Sequence, residues 1–595
     1  ELGFFSLLKR LSGGQESRIK NQESGKEKKT KKTKIQKIAT KEELKTFLGA
    51  AKTVAVYVAQ SEGTLFGAGI ESVRMATSSD TEIGILWNET TKKFLAEFLE
   101  DEERKKIVYD GKALLHLFTP EGIILRGIVF DVLLAAYLLN SGSNVTLEHL
   151  VLEECGEETV IIPASKLWVL CDIYEKRLDA VSATQTEGKT LRTVFATIEM
   201  PLLPVLFGME ENGIYLNTGK FQKLSAELTK ELVVLEQDIY TFAGRAFNIN
   251  SPKQLSEILF QDLGIPTTNI KKTKTGISTA SQELQKLQAY PIVAKIESYR
   301  ELFKLKTTYL DALPVLVAGD GRLHTTFQQA VAATGRLSSI NPNLQNIPAR
   351  NTWSERVRGA FEARAGYVFV GADYSQIELR VMAHLSQDKA LVAAFQKGED
   401  VHTTTASVVY KVKPREVTTD MRRQAKVFNF GIMYGMGAFG LAQAAGIEQS
   451  VAGAFIKTYF KKFSGVAKFI EVMKAGARKN GYVETELGRR RYTPEITSQN
   501  IQVARSAERM ATNMPIQGLA ADIMKLAMLR AAAVVETYGS DAFMVLQVHD
   551  ELIFEVREEA AEAFAEKITG AMENAYPLTV PLTVEVCTGK NWGEI

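Results

Sequence analysis

The stretch YVFVGADYSQIELR, residues 367–380, decides the fold. Residues 367–372 are apolar or small and read as a short buried strand, which delivers a carboxylate, Asp373, at its end. A second segment, QVHDELIFEV at 547–556, has the same character. Residues 543–548 and 552–556 read as two strands, with His549, Asp550 and Glu551 as the tight hairpin between them. Both segments place carboxylates at strand ends, where a side chain can project into a cleft instead of a core.

Carboxylates so placed suit two-metal phosphoryl transfer, in which two Mg²⁺ ions about 3.5–4 Å apart are held by shared ligands. Mg²⁺ takes hard oxygen donors and keeps positions for water and substrate phosphates. One ion would polarise an attacking hydroxyl and the other would stabilise a leaving pyrophosphate. Taken singly, a strand-end aspartate is also an ordinary turn residue. Asp373, Asp550 and Glu551 therefore gain meaning only beside groups that bind phosphate and template.

The segment MRRQAKVFNFGIMYG, residues 421–435, supplies such groups. Arg422, Lys426, Phe430 and Tyr434 recur every fourth residue, and at 100° per residue each step drifts by only about 40°. They form a slowly winding stripe, cationic at one end and aromatic at the other. A nucleotide could lie along it, phosphates on the cations and base or sugar against the rings. Gly431 and Gly435 are expected to leave space near the aromatics. The same pattern also fits an amphipathic helix with a solvated basic end and a core-facing aromatic end.

Composition restricts the setting. At roughly 150 residues per domain, the 595-residue chain suggests about four structural units. It is 45% hydrophobic and 24% charged, which excludes collagen-like and wholly disordered chains. The three cysteines, Cys155, Cys171 and Cys587, are far apart, against a disulfide framework or zinc site and in favour of a reducing compartment. A net charge of +2 means a polyanion must be met by local basic patches. A membrane span needs about 20 apolar residues. The most apolar region, 122–139, is broken by Arg126 and Asp131, so no membrane segment is expected.

The chain begins at Glu1 and reads as a fragment of a longer protein. Residues 20–37 are lysine-rich and polar, as in a solvated linker. Strands and helices then alternate to about residue 190, suggesting an α/β unit. Residues 53–59 read as a buried strand and 129–139 as a mostly helical run. Apolar residues recur at helical spacing over 221–242, Ser251-Pro252 reads as a helix start, and 375–530 is mostly helical.

The three segments, VGADYSQIELR, RRQAKVFNFGIMYG and QVHDELIFEV, resemble the polymerase motifs of family A DNA polymerases, in the right order. TGRLSSINPNLQNIP (334–348), FNINSPKQL (247–255), KKTKTGIST (271–279), ERMATNMPIQGLAADIMK (508–525) and the terminal NWGEI extend the resemblance, which is dense from about residue 200 onward. Upstream, LRGIVFDVLLAAYLLN (125–140) resembles the 3′→5′ exonuclease-type domain and LGFFSLLKRL (2–11) the tail of a 5′-nuclease domain. The resemblance implies a bacterial polymerase large, Klenow-like fragment. Its fold would be α/β and multidomain: a right hand of palm, fingers and thumb behind an N-terminal ribonuclease H-like domain. The implied boundaries are a nuclease remnant and linker at 1–37, the exonuclease-like domain at 38–195 and the polymerase domain at 196–595. Within the last, the thumb covers about 215–325, the palm about 326–390 and 525–595, and the fingers about 391–524.

The resemblance also assigns roles. Asp373 and Asp550 would bind the metals with the Tyr374 carbonyl, and Glu551 would be an accessory carboxylate near the primer end. Arg422 and Lys426 would grip the triphosphate, with Lys426 a candidate proton donor to pyrophosphate. Phe430 would stack near sugar and base and imply discrimination against dideoxynucleotides, and Tyr434 would stack on the template side. Glu378 would be the steric gate against a ribose 2′-OH, with Gln376 and His402 lining the nucleotide site. Arg336, Arg509, Asn513, Gln517 and His549 would follow the minor groove of the primer–template, whose degenerate pattern suits an enzyme that must not read sequence. Lys271, Lys272 and Lys274 suit backbone phosphates, which makes binding salt-dependent, and also suit a solvated loop.

The implied function is template-directed DNA synthesis in replication and repair. Its cofactors would be two Mg²⁺ ions, for which Mn²⁺ can substitute, and its partners primer–template DNA and deoxynucleoside triphosphates. A monomer in the bacterial cytoplasm, close to the nucleoid, is expected. Proofreading members of the family carry Asp-x-Glu on the first strand of the exonuclease domain, where this chain has Tyr57-Val58-Ala59. A further expected aspartate aligns near Leu114, and the late Tyr-x₃-Asp reads Trp168-x₃-Asp172, so only Asp131 and Asp172 remain. Proofreading is expected to be absent. Two other readings are a single-subunit RNA polymerase, which Glu378 opposes, and a primer–template binding protein without catalysis, which Asp373, Asp550, Arg422 and Lys426 oppose.

Overall fold

The computed structural model describes residues 36–38, 40–61, 69–158, 162–181, 190–268, 270–273, 276–348 and 352–595. The expected nuclease remnant and nearly all of the linker lie outside them, as does Lys274.

The N-terminal unit is built on a six-stranded sheet in the order Gln36–Lys37, Glu82–Leu86, Ile70–Ala76, Thr53–Gln60, Lys105–Val108, Ile128–Asp131. Thr53–Gln60 pairs antiparallel to Ile70–Ala76 and parallel to Lys105–Val108. Its centre is fully buried, which is why TVAVYVA is continuously apolar instead of alternating. The run 129–139 is not all helix. Ile128–Asp131 is an edge strand, and Asp131 caps the helix Val132–Leu139 by accepting from Leu133 N at 2.9 Å. Periodicity could not separate the two, since both are apolar all round.

The expectation that no segment is long and apolar enough for a membrane span needs correction. Leu191–Asn212 is a 22-residue helical run of mean hydropathy 1.4. Its Leu202, Leu206 and Met209 are core residues, and its Glu199 carboxylate is ion-paired inside the protein, so its apolar surface is used within the fold.

The helices Thr218–Ala243 and Pro291–Leu305 then pack against each other. Ser251 caps Pro252–Glu257 as its sequence predicts, accepting from Gln254 N. Lys271 and Lys272 are exposed beside the small hairpin Lys272–Thr273 and Gly276–Ile277.

A four-stranded antiparallel sheet carries the two acidic segments, in the order Ala542–Val548, Glu551–Arg557, Tyr367–Tyr374, Val584–Gly589. Tyr367–Tyr374 is a central strand buried along its length except at Asp373, which opens to solvent. The strand therefore does not stop before Asp373, and Glu551 likewise opens its own strand instead of sitting in the turn. Helix Ala561–Glu573 covers this sheet, and the 38-residue helix Ile501–Tyr538 runs past it. The helices between Ile377 and Asn480, with the hairpin Tyr482–Glu484 and Arg490–Tyr492, complete the chain. A single hydrophobic cluster runs from the N-terminal sheet through this sheet to Trp592.

Candidate active site

Pairing register brings the carboxylates together. Asp373 stands opposite Glu551, and Tyr374 N donates to the Asp550 carbonyl at 3.0 Å. The turn residue His549 is left-handed, φ 53°, and Gln547 Nε2 donates to its carbonyl at 2.6 Å. The cleft walls strip enough water from Asp373 to push its pKa up to about 6, with Asp550 and Glu585 adding like charge. Burial, then Asp373, pushes Glu551 up to about 7 against the opposing pull of Arg358. Burial raises Asp550 too, against Arg336.

Neither Asp373 nor Asp550 has an ion-pair partner among the described residues. Crowded anions without a cation suit a divalent metal. Among the described residues, no group of three or more His, Cys, Asp or Glu converges on one metal position. A cation at Asp373 and Asp550 would therefore need the Tyr374 carbonyl, water and substrate phosphates to fill its shell, a donor set that fits Mg²⁺.

The stripe lies on the helix Thr419–Met433, started by the Thr418 side chain, with Tyr434 at its C-terminal end. Arg422 and Lys426 are exposed, whereas Phe430 and Tyr434 are half-buried and stacked, centroids 6.3 Å apart at 26°. Arg422 Nε donates to Asp400 at 2.5 Å. Burial raises the Asp400 pKa, but the hydrogen bonds from Arg422 and Thr403 outweigh it and hold the net value down. His402 is buried under the stripe, its ring 5.9 Å from Phe430 and its Nδ1 bonded to Asn429 at 2.9 Å.

The two glycines do not leave the space expected of them. A Cβ on Gly431 would lie 2.3 Å from Leu441 Cδ2, so that position is taken up by helix packing. Gly435 has φ +70°, and its Cβ would lie 2.9 Å from Arg509 Cγ. Arg509 thus lies against the end of the stripe.

Glu378 joins the stripe to the sheet. It is 4% exposed, accepts from the Tyr434 hydroxyl at 2.5 Å and pairs with Arg336 at 2.5 Å. Burial raises its pKa, with the Tyr434 hydrogen bond and Arg336 opposing. Burial, then Glu378, raises the Tyr434 pKa, and Gln517 on the long helix weakly opposes this. Asn513 lies one turn earlier, its buried Oδ1 without a partner among the described residues. Gln376, left-handed at φ 56°, also keeps a buried Oε1 without a partner among the described residues. Arg336, His549 and Asp550 line one pocket with Gln345, Gln547 and Lys525. Sequence reasoning missed Asp400, Arg358, Gln345 and Lys525. Asp400 alone left a signal, as a cap before an apolar helix.

At the N-terminal sheet, Tyr57, Val58 and Ala59 are strand residues and Leu114 is buried in the helix Gly111–Phe118. Asp131 is 1% exposed and accepts from Gly111 N (2.7 Å), Leu133 N (2.9 Å) and Asp110 N (3.1 Å). Burial, then Asp110, pushes it up to about 7 despite those donors. Asp172 is exposed on the helix Ala164–Ala180.

Residues 218–594 match the model of DNA polymerase family A, and residues 73–160 that of the DNA polymerase I ribonuclease H-like domain. DNA polymerase I of Pseudomonas aeruginosa is 42% identical over 529 residues, 84% of this chain and 58% of that protein. The thermostable DNA polymerase I of Thermus caldophilus is 47% identical over 465 residues, 78% of this chain and 55% of that protein. The chain thus spans a little over half the length of these relatives. The solved POL domain of Pol1 from M. smegmatis, in complex with DNA primer-template and dNTP, superposes with TM-score 0.87 at 36% identity, covering 94% of this chain and 99% of that one. With the site geometry and these matches together, the chain belongs to DNA polymerase family A and carries its fold behind a ribonuclease H-like domain.

Proposed function

We propose that the protein extends a DNA primer on a template, adding deoxynucleotides with release of pyrophosphate. The observation that carries this is the meeting of Asp373, Asp550 and Glu551 at one strand pair, within one site with the Arg422–Tyr434 stripe through Glu378. In the reaction the primer 3′-oxygen forms a bond to the α-phosphorus as the bond to the β-phosphate oxygen breaks. Two Mg²⁺ ions, or Mn²⁺ in their place, would be held by Asp373, Asp550 and the Tyr374 carbonyl and would supply charge neutralisation and an acidified 3′-hydroxyl.

The chain's own residues do the rest. Arg422, released from Asp400, and Lys426 bind the triphosphate, and Lys426 Nζ holds the proton that the leaving pyrophosphate takes. Phe430 stacks on sugar and base, supported from behind by His402, while Tyr434 faces the template. Gln376 lines the nucleotide site, and Glu378, fixed between Arg336 and Tyr434, crowds a 2′-hydroxyl. Arg336, Arg509, Asn513, Gln517 and His549 follow the minor groove, and Lys271 and Lys272 meet backbone phosphates. Residues 215–325 act as thumb, 326–390 and 525–595 as palm, and 391–524 as fingers. The ribonuclease H-like domain serves as support without proofreading. The protein works as a monomer on chromosomal DNA in the cytoplasm.

Primer extension with four deoxynucleotides and Mg²⁺, beside ribonucleotide and chelator controls, tests the reading. Extension should need Mg²⁺ and deoxynucleotides, and Asp550→Ala should abolish it while primer–template affinity stays. Extension surviving in Asp550→Ala would refute the metal assignment. Preference for ribonucleotides would favour the RNA polymerase alternative.

A further inference from the structure

Behind the pocket of Arg336 and Asp550 lies a group of charges that the proposed reaction leaves unused. Arg489, beside the hairpin strand Arg490–Tyr492, Glu199 in the π-helical turn Phe195–Glu199, and Asp522 and Lys525 on the long helix are all buried. Arg489 Nη2 donates to Glu199 Oε1 at 2.5 Å and to Asp522 Oδ1 at 2.6 Å. Lys525 Nζ donates to both Glu199 oxygens, at 2.8 and 3.0 Å. Four buried charges carry a large desolvation cost, and apolar residues of similar shape are often as stable. Arg489 Nη1 and Asp522 Oδ2 also lack hydrogen-bond partners among the described residues. Stability alone is thus a weak reason for the group. What it provides is a guanidinium held in one place.

That guanidinium lies against Gly335. A Cβ there would stand 2.7 Å from Arg489 Nε, and Gly335 has φ +84°. The other side of the same loop is held from the ribonuclease H-like domain. The Tyr137 hydroxyl, on the helix Val132–Leu139, donates to the Ala332 carbonyl, the same oxygen that accepts from the Gly335 N–H at 2.9 Å. Gly335 immediately precedes Arg336, the partner of Glu378.

We propose that Arg489, Glu199 and Tyr137 are positioning residues: they clamp the 332–335 loop so that Arg336 stays on Glu378, and this clamp is what the ribonuclease H-like domain contributes to synthesis. The inference rests on the polymerase reading above. It gives that domain a part in nucleotide selection at a distance, through Tyr137, without any chemistry of its own.

The test uses the full chain with Tyr137→Phe, which removes one hydroxyl, and Arg489→Lys, which keeps the charge and loses the fork. Lys112→Met, breaking the separate Lys112–Glu210 ion pair (2.7 Å), is the control for stability alone. Single-nucleotide incorporation is measured for a deoxynucleotide and its ribonucleotide at saturating primer–template, well below each variant's Tm. Small misplacements of positioning groups cost up to about 100-fold, so Tyr137→Phe should lower kcat and the deoxy-to-ribo preference about threefold or more, and Arg489→Lys further. Lys112→Met should lower Tm and leave the preference unchanged. If the two clamp variants shift the preference no more than Lys112→Met, the inference falls and the polymerase reading stands. If the unmodified chain extends no primer, both fall.

Discussion

The backbone N–H of Tyr374 donates to the carbonyl oxygen of Asp550 at 3.0 Å. This bond ties the end of one strand to the turn of a hairpin and keeps Asp550 close enough to Asp373 to raise its pKa. It is a main-chain contact, so it survives substitution of either carboxylate. That is the physical reason Asp550→Ala should leave the cleft, and hence primer–template affinity, broadly intact.

Glu378→Ala should raise ribonucleotide use by about tenfold or more, since a buried carboxylate crowding the sugar is worth at least one such factor in discrimination. It also strands the Tyr434 hydroxyl and Arg336, so a lower Tm is expected, by an amount reflecting about 1–3 kcal/mol. Competition between deoxy- and ribonucleotide at one template position measures the first effect. Unchanged sugar selectivity would remove Glu378 from the gate.

A 3′-labelled single strand incubated with Mg²⁺ should remain full length. Asp131 accepts from three backbone donors, Asp172 is exposed on its own helix, and among the described residues no group of three or more His, Cys, Asp or Glu is placed to hold an ion there. Metal-dependent shortening would overturn the proposed loss of proofreading.

Gly431→Ala should destabilise the helix that bears the stripe by about 1–3 kcal/mol, because the added methyl collides with Leu441. Trimming the neighbour in the double variant with Leu441→Ala should recover part of the loss, as contacting sites couple. Thermal melting of the single and double variants decides it. Additive losses would mean that the space is not shared.

His402 should make the protein less stable in mild acid. Burial lowers its pKa from 6.5 to about 4, with Asp400 opposing and Arg422 and Lys426 assisting. Between those values the unfolded chain binds a proton that the folded chain refuses, so the contribution is full above pH 6.5 and falls as pH drops through this window. The loss is on the order of 2–3 kcal/mol when complete. Melting at pH 7 and pH 5 should show a smaller acid shift for His402→Gln than for the unmodified chain, and equal shifts would argue against a neutral buried ring.

The sequence by itself determined what local patterning can encode. The apolar runs at 367–372 and 543–548, the fourfold spacing of Arg422, Lys426, Phe430 and Tyr434, and the serine-proline helix start at 251 all reflect neighbours within a few residues. The strand at 128–131 was hidden because its apolar residues run without a break into those of the helix Val132–Leu139, and a short apolar run carries no period that tells strand from helix. Tertiary structure alone decided which distant groups meet. Arg422 rests on Asp400, Gly431 yields to Leu441, and Arg489 reaches Glu199 across 290 positions. Such pairings are fixed by how helices and sheets pack. No periodicity records them, since the energy of a buried ion pair or a close backbone approach depends on a partner that the local sequence does not contain.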